Sequence, residues 1–241
     1  MNREKGDSPR KLLVTGASQG IGGAITRRLL NDGHRVLGIG RDFSGWSELP
    51  GLESIILDLS DLDSLPTRFD EIIRAHGDLD GVILNAGYGR FGSLEEFSYR
   101  QIRDLVNVNL LQHLFIARAV LPHLKRSNRG DIILIGSESA LAGGRKGAVY
   151  SACKFAIRGF AQSLRAECSG SGIRLCLINP GMVDTGFFDS LDFAPGDAPE
   201  NHLRPDDIAE TVSLVLQAHP GTVFDEINLN PLKKVIQFKK A

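Results

Sequence analysis

Short runs of β-branched and leucine side chains recur along the chain, separated by longer stretches in which apolar residues return with a helical period. The runs fall at 11–14 (KLLV), 35–39, 53–57, 81–84 (GVIL), 131–135, 174–178 and 223–228. Most are continuous rather than alternating, the form expected of parallel strands covered on both faces. Helical patterns occupy 21–31, 62–76, 98–125, 151–168 and 205–217. The last opens Arg204-Pro205-Asp206-Asp207, with proline and acids where a first helical turn favours them. This alternation predicts repeated βαβ units in an α/β fold. The expected architecture is a single Rossmann-type doubly wound domain, with a seven-stranded, mainly parallel sheet and helices on both faces. No repeat or linker-like shift divides the chain. Residues 1–10 are expected as a flexible N-terminal segment, 11–232 as the single domain, and 233–241 as a solvated, lysine-bearing tail. The loosest stretch, 184–204, is rich in Gly, Pro and Asp.

Composition narrows the classes of function. With 28 Lys+Arg against 29 Asp+Glu, the formal charge of -1 argues against a dedicated nucleic-acid binder, which carries a basic surplus. No continuous apolar run reaches the length of a membrane span, and the first ten residues are polar rather than signal-like. Cys153, Cys168 and Cys176 lack CxxC spacing, so a reducing, cytoplasmic setting is expected. The six histidines form no HExxH pattern, and no metal is expected.

The 27 glycines concentrate the chemistry. After the first strand the chain reads Thr15-Gly16-Ala17-Ser18-Gln19-Gly20-Ile21-Gly22-Gly23, and a helix follows. Gly16 permits a tight strand exit, while Gly20 and Gly22 let backbone and helix approach closely. First-turn amides and the helix dipole can then face a pyrophosphate. The spacing is GxxxGxG, not the general GxGxxG dinucleotide fingerprint. At the end of the second strand stands Gly40-Arg41-Asp42. An acid here would accept the ribose hydroxyls of NAD, whereas an arginine suits the 2′-phosphate of NADP. Arg41 therefore points to NADP(H) rather than NAD(H). Asp42 beside it is able to neutralise Arg41 or take the hydroxyls itself.

Tyr150 and Lys154 stand four apart, on one face of the helix that follows the fifth strand, and Ser137 ends that strand. Both elements lie on the side where parallel strands present their carboxyl ends to a ligand crevice.

From Lys11 to about Leu232 the chain resembles the short-chain dehydrogenase/reductase family. Thr15–Gly22 resembles its TGxxxGxG turn, Asp58-Leu59 its adenine-side acid, Asn85-Ala86-Gly87 its NAG segment and Ser137 with Tyr150/Lys154 its catalytic serine and YxxxK. Asn109 resembles its structural and catalytic asparagine. Pro180-Gly181, Val183 and Thr185 resemble the segment that closes on the nicotinamide. The resemblance implies Asn109, Ser137, Tyr150 and Lys154 as catalytic residues of a hydride transfer, in which Tyr150 would exchange a proton with the substrate oxygen, Lys154 would lower the phenol's pKa, and Ser137 would fix that oxygen. It implies NADP binding by Gly16, Ser18, Gln19, Gly20, Ile21, Gly22, Arg41, Asp58, Leu59, Asn85, Ala86, Gly87, Tyr150, Lys154, Pro180, Gly181, Val183 and Thr185. Lys154 would also hold the nicotinamide ribose, and Asn109 would anchor a relay water. The implied reaction interconverts a small-molecule carbonyl and an alcohol. The segment 184–204 resembles the family's substrate lid. Helices 98–125 and 151–168 resemble those that pair across a two-fold axis into homodimers or homotetramers, with Ala152, Ala156, Gly159 and Ala161 as small contact residues.

Three places are open to the substrate: Tyr88–Phe91, the stretch from Glu138 through Arg145 to Val149, and Met182–Arg204 with Phe187, Phe188 and Phe193. Glu138 either forms a salt bridge or meets a polar substrate group. Arg145 is either a solvated loop charge or a carboxylate clamp. The clamp, with the tail Asp225–Pro231, fits the family's 3-hydroxy-acid dehydrogenase or semialdehyde reductase branch. A catalytically silent NADP-binding regulator is the alternative from another class; such proteins lose the tyrosine or lysine, and this chain keeps both.

Overall fold

The computed structural model describes residues 9–239. Every residue of β1 (Lys11–Thr15) is buried, because its two faces lie under different helical layers. Leu12 and Val14 join one core with Ala24, Ile25 and Leu29 of α1 (Gly20–Asn31) and Ile208 and Val212 of α6 (Pro205–Gln217). Leu13 joins the opposite core, with Phe69 of α2 (Leu65–Ala75), Ile116 and Val120 of α4 (Gln112–Ser127), and Ile157 and Leu164 of α5 (Ala148–Cys168). Successive side chains of a strand point to opposite faces, so a strand covered on both must be apolar throughout. That explains the unbroken runs.

The remaining strands are β2 (Arg35–Gly40), β3 (Leu52–Ile56), β4 (Gly81–Leu84), β5 (Gly130–Ile135), β6 (Ile173–Pro180) and β8 (Glu226–Leu229). They form a seven-stranded sheet of order β3-β2-β1-β4-β5-β6-β8, in which all six pairings are parallel. The chain winds outward from β1 in one direction and from β4 in the other. A crevice therefore opens where the carboxyl ends of β1 and β4 diverge.

Four features depart from the sequence-based expectation. The last strand lies at Glu226–Leu229 rather than 223–228, leaving Val223 exposed. The helix expected at 98–125 is α3 (Tyr99–Val106), a π-helical turn (Asn107–Leu111) and α4 in succession. Periodicity cannot reveal one extra residue within a turn. Ala161 faces the core, not a subunit-contact face, while Ala152, Ala156 and Gly159 are exposed. Lastly, β7 (Phe193–Pro195) and β9 (Ile236–Phe238) form an antiparallel pair, so part of the expected solvated tail is a strand.

Of the expected flexible N-terminal segment, residues 1–8 lie outside the described residues, as do 240–241 of the tail. Arg10 is held: its guanidinium meets the carboxylate of Asp131, which Arg174 also grips at 2.8 Å. Among the described residues, one helical run, Tyr99–Ser127, has the length and mean hydropathy (1.3) that a membrane span requires. In the fold, Ile116, Val120 and Leu124 of this run are core residues.

Candidate active site

Thr15 ends β1 with its hydroxyl buried, and that oxygen accepts from the amides of Asn85 (2.9 Å) and Ala86 (3.1 Å). The Asn85 side chain returns a bond to the Thr15 carbonyl at 2.9 Å. These bonds tie the turn after β1 to the turn after β4 and fix the floor of the crevice. Gly16 sits at φ +65°, where an L side chain is strained. Gly22 lies beneath the turn: a Cβ there would stand 2.0 Å from the Gly16 carbonyl oxygen. Gln19, the N-cap of α1, makes no side-chain capping bond and the first turn carries no acid, so no side chain of the cap competes for those amides.

One large cleft, about 2140 Å³, runs from this turn along the carboxyl ends of the strands. Each residue implied by the resemblance lines it except Gly22, whose contribution is to let helix and turn touch. At the far side of β2, Arg41 lines the cleft near Asp58, whose carboxyl is held below its usual range mainly by the Ser60 amide, with a smaller effect of Arg41. Asp42 does not pair with Arg41; it accepts from the amide (2.7 Å) and hydroxyl (3.1 Å) of Ser44 within its own turn. Trp46 and Arg27 are among the lining residues that escaped the sequence reading. Trp46 docks its indole N–H on the Ser18 carbonyl (2.7 Å), and the Arg27 guanidinium stacks 5.3 Å from that ring's centre. Neither belongs to a motif, and only folding brings the β2–β3 loop onto α1.

At the other end of the cleft stand Ser137, Tyr150 and Lys154. Ser137 leaves β5 with its amide donating to Asn179 Oδ1 (3.3 Å), and its hydroxyl accepts from the Ser139 amide (3.1 Å). Asn179 in turn donates to Glu226 and Asn228 of β8, both at 2.9 Å. Thus the bonds that orient Ser137 extend to a strand some ninety residues later, a link the sequence did not signal. Lys154 donates to the Ile135 carbonyl at 3.3 Å, and its ammonium lies 5.6 Å from the centre of the Tyr150 ring.

Burial governs both ionisable groups. It pushes the Tyr150 phenol up to about 12, with the Ser137 hydrogen bond acting in the opposite direction. It pushes the Lys154 ammonium down to about 8. The expected lowering of the phenol by Lys154 does not arise in the protein alone: burial dominates, and it disfavours both charged forms.

Asn109 is fully buried on the π-helical turn. Its amide group clasps the Tyr88 backbone, accepting from the N–H (3.2 Å) and donating to the carbonyl (3.0 Å), and it also donates to Leu105. The side chain is therefore committed to holding the 87–89 segment beside the cleft. Next to it, His113 is buried with Nδ1 unpartnered, and burial holds its pKa down at about 3. Between pH 3 and 6.5 the unfolded chain then binds a proton that the folded chain does not, so stability rises with pH across that window. The expected slope from this one group is at most about 1.4 kcal/mol per pH unit. Urea unfolding of His113→Gln from pH 4 to 7 should show a flatter dependence than the parent.

Around the phenol, segments 88–91 and 182–204 supply aromatics. Phe91 lies 5.2 Å and Phe187 6.1 Å from the Tyr150 ring centre, and Phe193 lies 5.2 Å from Phe91. Glu138 forms a salt bridge with Lys234 at 2.6 Å, while Arg145 is exposed on its loop.

The fold, the glycine turn and the Ser-Tyr-Lys constellation define an oxidoreductase of the Rossmann class. Residues 10–194 match the family described as short chain dehydrogenase, and the chain belongs to that family. It is 33% identical over 248 residues to mouse dehydrogenase/reductase SDR family member 11, covering 94% of this chain and 95% of that protein. It is also 33% identical over 182 residues to a 3-ketodihydrosphingosine reductase of Bacteroides thetaiotaomicron, covering 76% of this chain and 67% of the relative. Among solved structures, an alcohol dehydrogenase from Thermococcus sibiricus complexed with 5-hydroxy-NADP superposes with a TM-score of 0.82 at 29% identity, covering 95% of this chain and 99% of that one.

Proposed function

We propose that this oxidoreductase uses NADP(H) to interconvert a carbonyl compound and its alcohol, with Tyr150 as the proton donor and acceptor. The carrying observation is the convergence of Ser137, Tyr150 and Lys154 on the same cleft as the glycine turn and Arg41. The turn suits a dinucleotide: Gly22 leaves no room for a Cβ, Gly16 holds a left-handed φ of +65°, and α1 begins without a side-chain cap. Gly16, Ser18, Gln19, Gly20 and Ile21 would hold the pyrophosphate, Asp58 and Leu59 the adenine side, and Arg41 the 2′-phosphate. Asn85, Ala86, Gly87, Pro180, Gly181, Val183 and Thr185 would line the nicotinamide half. When bound, NADP(H) supplies or accepts the hydride.

In reduction, the carbonyl carbon gains that hydride as the Tyr150 hydroxyl gives its proton to the oxygen. A phenol raised to about 12 is protonated at neutral pH, the form this step needs. Ser137 orients the oxygen through a hydroxyl already fixed on the Ser139 amide. Lys154 restores the proton and favours the transient phenolate once charged. Asn109 positions the Tyr88 segment that borders the site. A cytoplasmic setting and a homodimer or homotetramer complete the reading; Phe155, Ala152, Ala156 and Gly159 offer an exposed face on α5 for such pairing.

The test joins turnover to binding. Trp46, the only tryptophan, lines the cleft, so NADPH should quench its fluorescence. NADPH should be oxidised by carbonyl compounds in preference to NADH. Arg41→Ala should raise the NADPH Kd by about one to two orders of magnitude, the loss expected of a charged hydrogen-bond partner, with the NADH Kd nearly unmoved. Equal losses for both nucleotides would remove NADP from the reading. Retained binding without turnover of any carbonyl would favour the silent regulator.

A further inference from the structure

We propose that the substrate carries an apolar, ring-sized group beside its carbonyl, and that the C-terminal strand β9 forms part of the wall receiving it. The inference rests on the oxidoreductase reading and deepens it. The Tyr150 ring is flanked by Phe91 and Phe187, and the cluster continues through Phe188 and Phe193 at centre-to-centre distances of 5.1–5.8 Å. Gly89 makes the close packing possible, since a Cβ on it would lie 2.4 Å from the Phe187 ring. An aromatic wall around a proton donor favours substrate atoms that do not need water.

The chain's own end extends this wall. β9 pairs with β7 in the register Phe193↔Phe238, Ala194↔Gln237 and Pro195↔Ile236. Further bonds fasten the two: Gly196 donates to the Val235 carbonyl (3.1 Å), and the Lys239 ammonium donates to the Phe188 carbonyl (2.6 Å). Ile236 and Phe238 line the cleft yet are 47% and 75% exposed, so they present apolar surface left open by the described residues. Such surface at a cleft is what an apolar ligand removes from water.

Two cations of the cleft are already paired. A hydroxy acid or semialdehyde needs a cation near the phenol. Lys234 is held by Glu138 at 2.6 Å, and Arg100 sits 3.7 Å from Asp104. Arg145 and Lys146, exposed on the 143–147 loop, also line the cleft, so a semialdehyde carboxylate is the competing substrate that the experiment includes. The salt bridge also places Glu138 opposite a lysine from the tail, so the charge next to Ser137 is balanced without a substrate group.

The experiment compares kcat/KM, with NADPH, for an aryl ketone such as 4-phenyl-2-butanone, for acetaldehyde and for succinic semialdehyde. The expected order places the aryl ketone at least tenfold above the semialdehyde. Phe238→Ala, and separately a chain ending at Leu232, should each raise the aryl-ketone KM at least fivefold and narrow its advantage over acetaldehyde. Trp46 quenching by NADPH should keep its Kd in both. A preference for the semialdehyde, or an unchanged aryl-ketone KM in Phe238→Ala, would overturn the inference while leaving the oxidoreductase intact. No turnover of any carbonyl, with NADPH still quenching Trp46, would overturn the oxidoreductase reading and this inference with it.

Discussion

Replacing Tyr150 with Phe should lower carbonyl turnover by about three orders of magnitude or more, within the range set by loss of a positioned general acid. The phenol is buried, its ring is fixed between Phe91 and Phe187, and Ser137 is the side chain that acts to lower its pKa. Phenylalanine keeps the ring and its contacts, so the fold should survive and NADPH should quench Trp46 with a Kd within a few-fold of the parent. Neither neighbour takes its place: the Ser137 hydroxyl is far less acidic than a phenol, and the Lys154 ammonium is held toward the Ile135 carbonyl. Turnover of the variant within tenfold of the parent, measured by NADPH oxidation, would remove Tyr150 from the mechanism.

Gly22→Ala should damage both nucleotide binding and stability. Its Cβ would stand 2.0 Å from the Gly16 oxygen and 2.5 Å from Asn85 Nδ2. The first is a backbone atom that cannot rotate away, and Asn85 is committed to the Thr15 carbonyl. Relief requires α1 to move away from the turn, which misaligns the first-turn amides. Overpacking of this kind costs about 1–3 kcal/mol, a fall of roughly 2–12 °C in Tm for a chain of this size. NADPH affinity should fall more than tenfold. Gly77→Ala is the matched control, because a Cβ there meets nothing within 4 Å; it should leave both quantities unchanged. An unaltered NADPH Kd in Gly22→Ala would show that the close approach of helix and turn is not what binds the nucleotide.

Much of the scaffold was legible in the sequence because it rests on local rules. Apolar runs covered on two faces declare parallel strands, and glycine between a strand and a helix declares a backbone turn that tolerates no side chain. The i, i+4 placement of Tyr150 and Lys154 follows from helix geometry alone. Other features depend on contacts between distant segments. Asp42 could have met Arg41, but its own turn offered the nearer donors of Ser44. The π-helical turn that commits Asn109 to Tyr88 left no mark in the apolar period. The tail read as solvated because lysines dominate it, yet Lys234 and Lys239 find partners on Glu138 and the Phe188 carbonyl.

The sequence by itself determined the order of strands and helices, the glycine turn, and which side chains could carry acid–base chemistry, since each is set by neighbours a few residues away. Only the tertiary structure decided the ionisation of Tyr150 and Lys154, the partner of Glu138, and the pairing of residues 193–195 with the C-terminal strand. Burial and ion pairing depend on which segments meet in space, and segments such as 193–195 and 236–238 meet only after the sheet has brought their ends together.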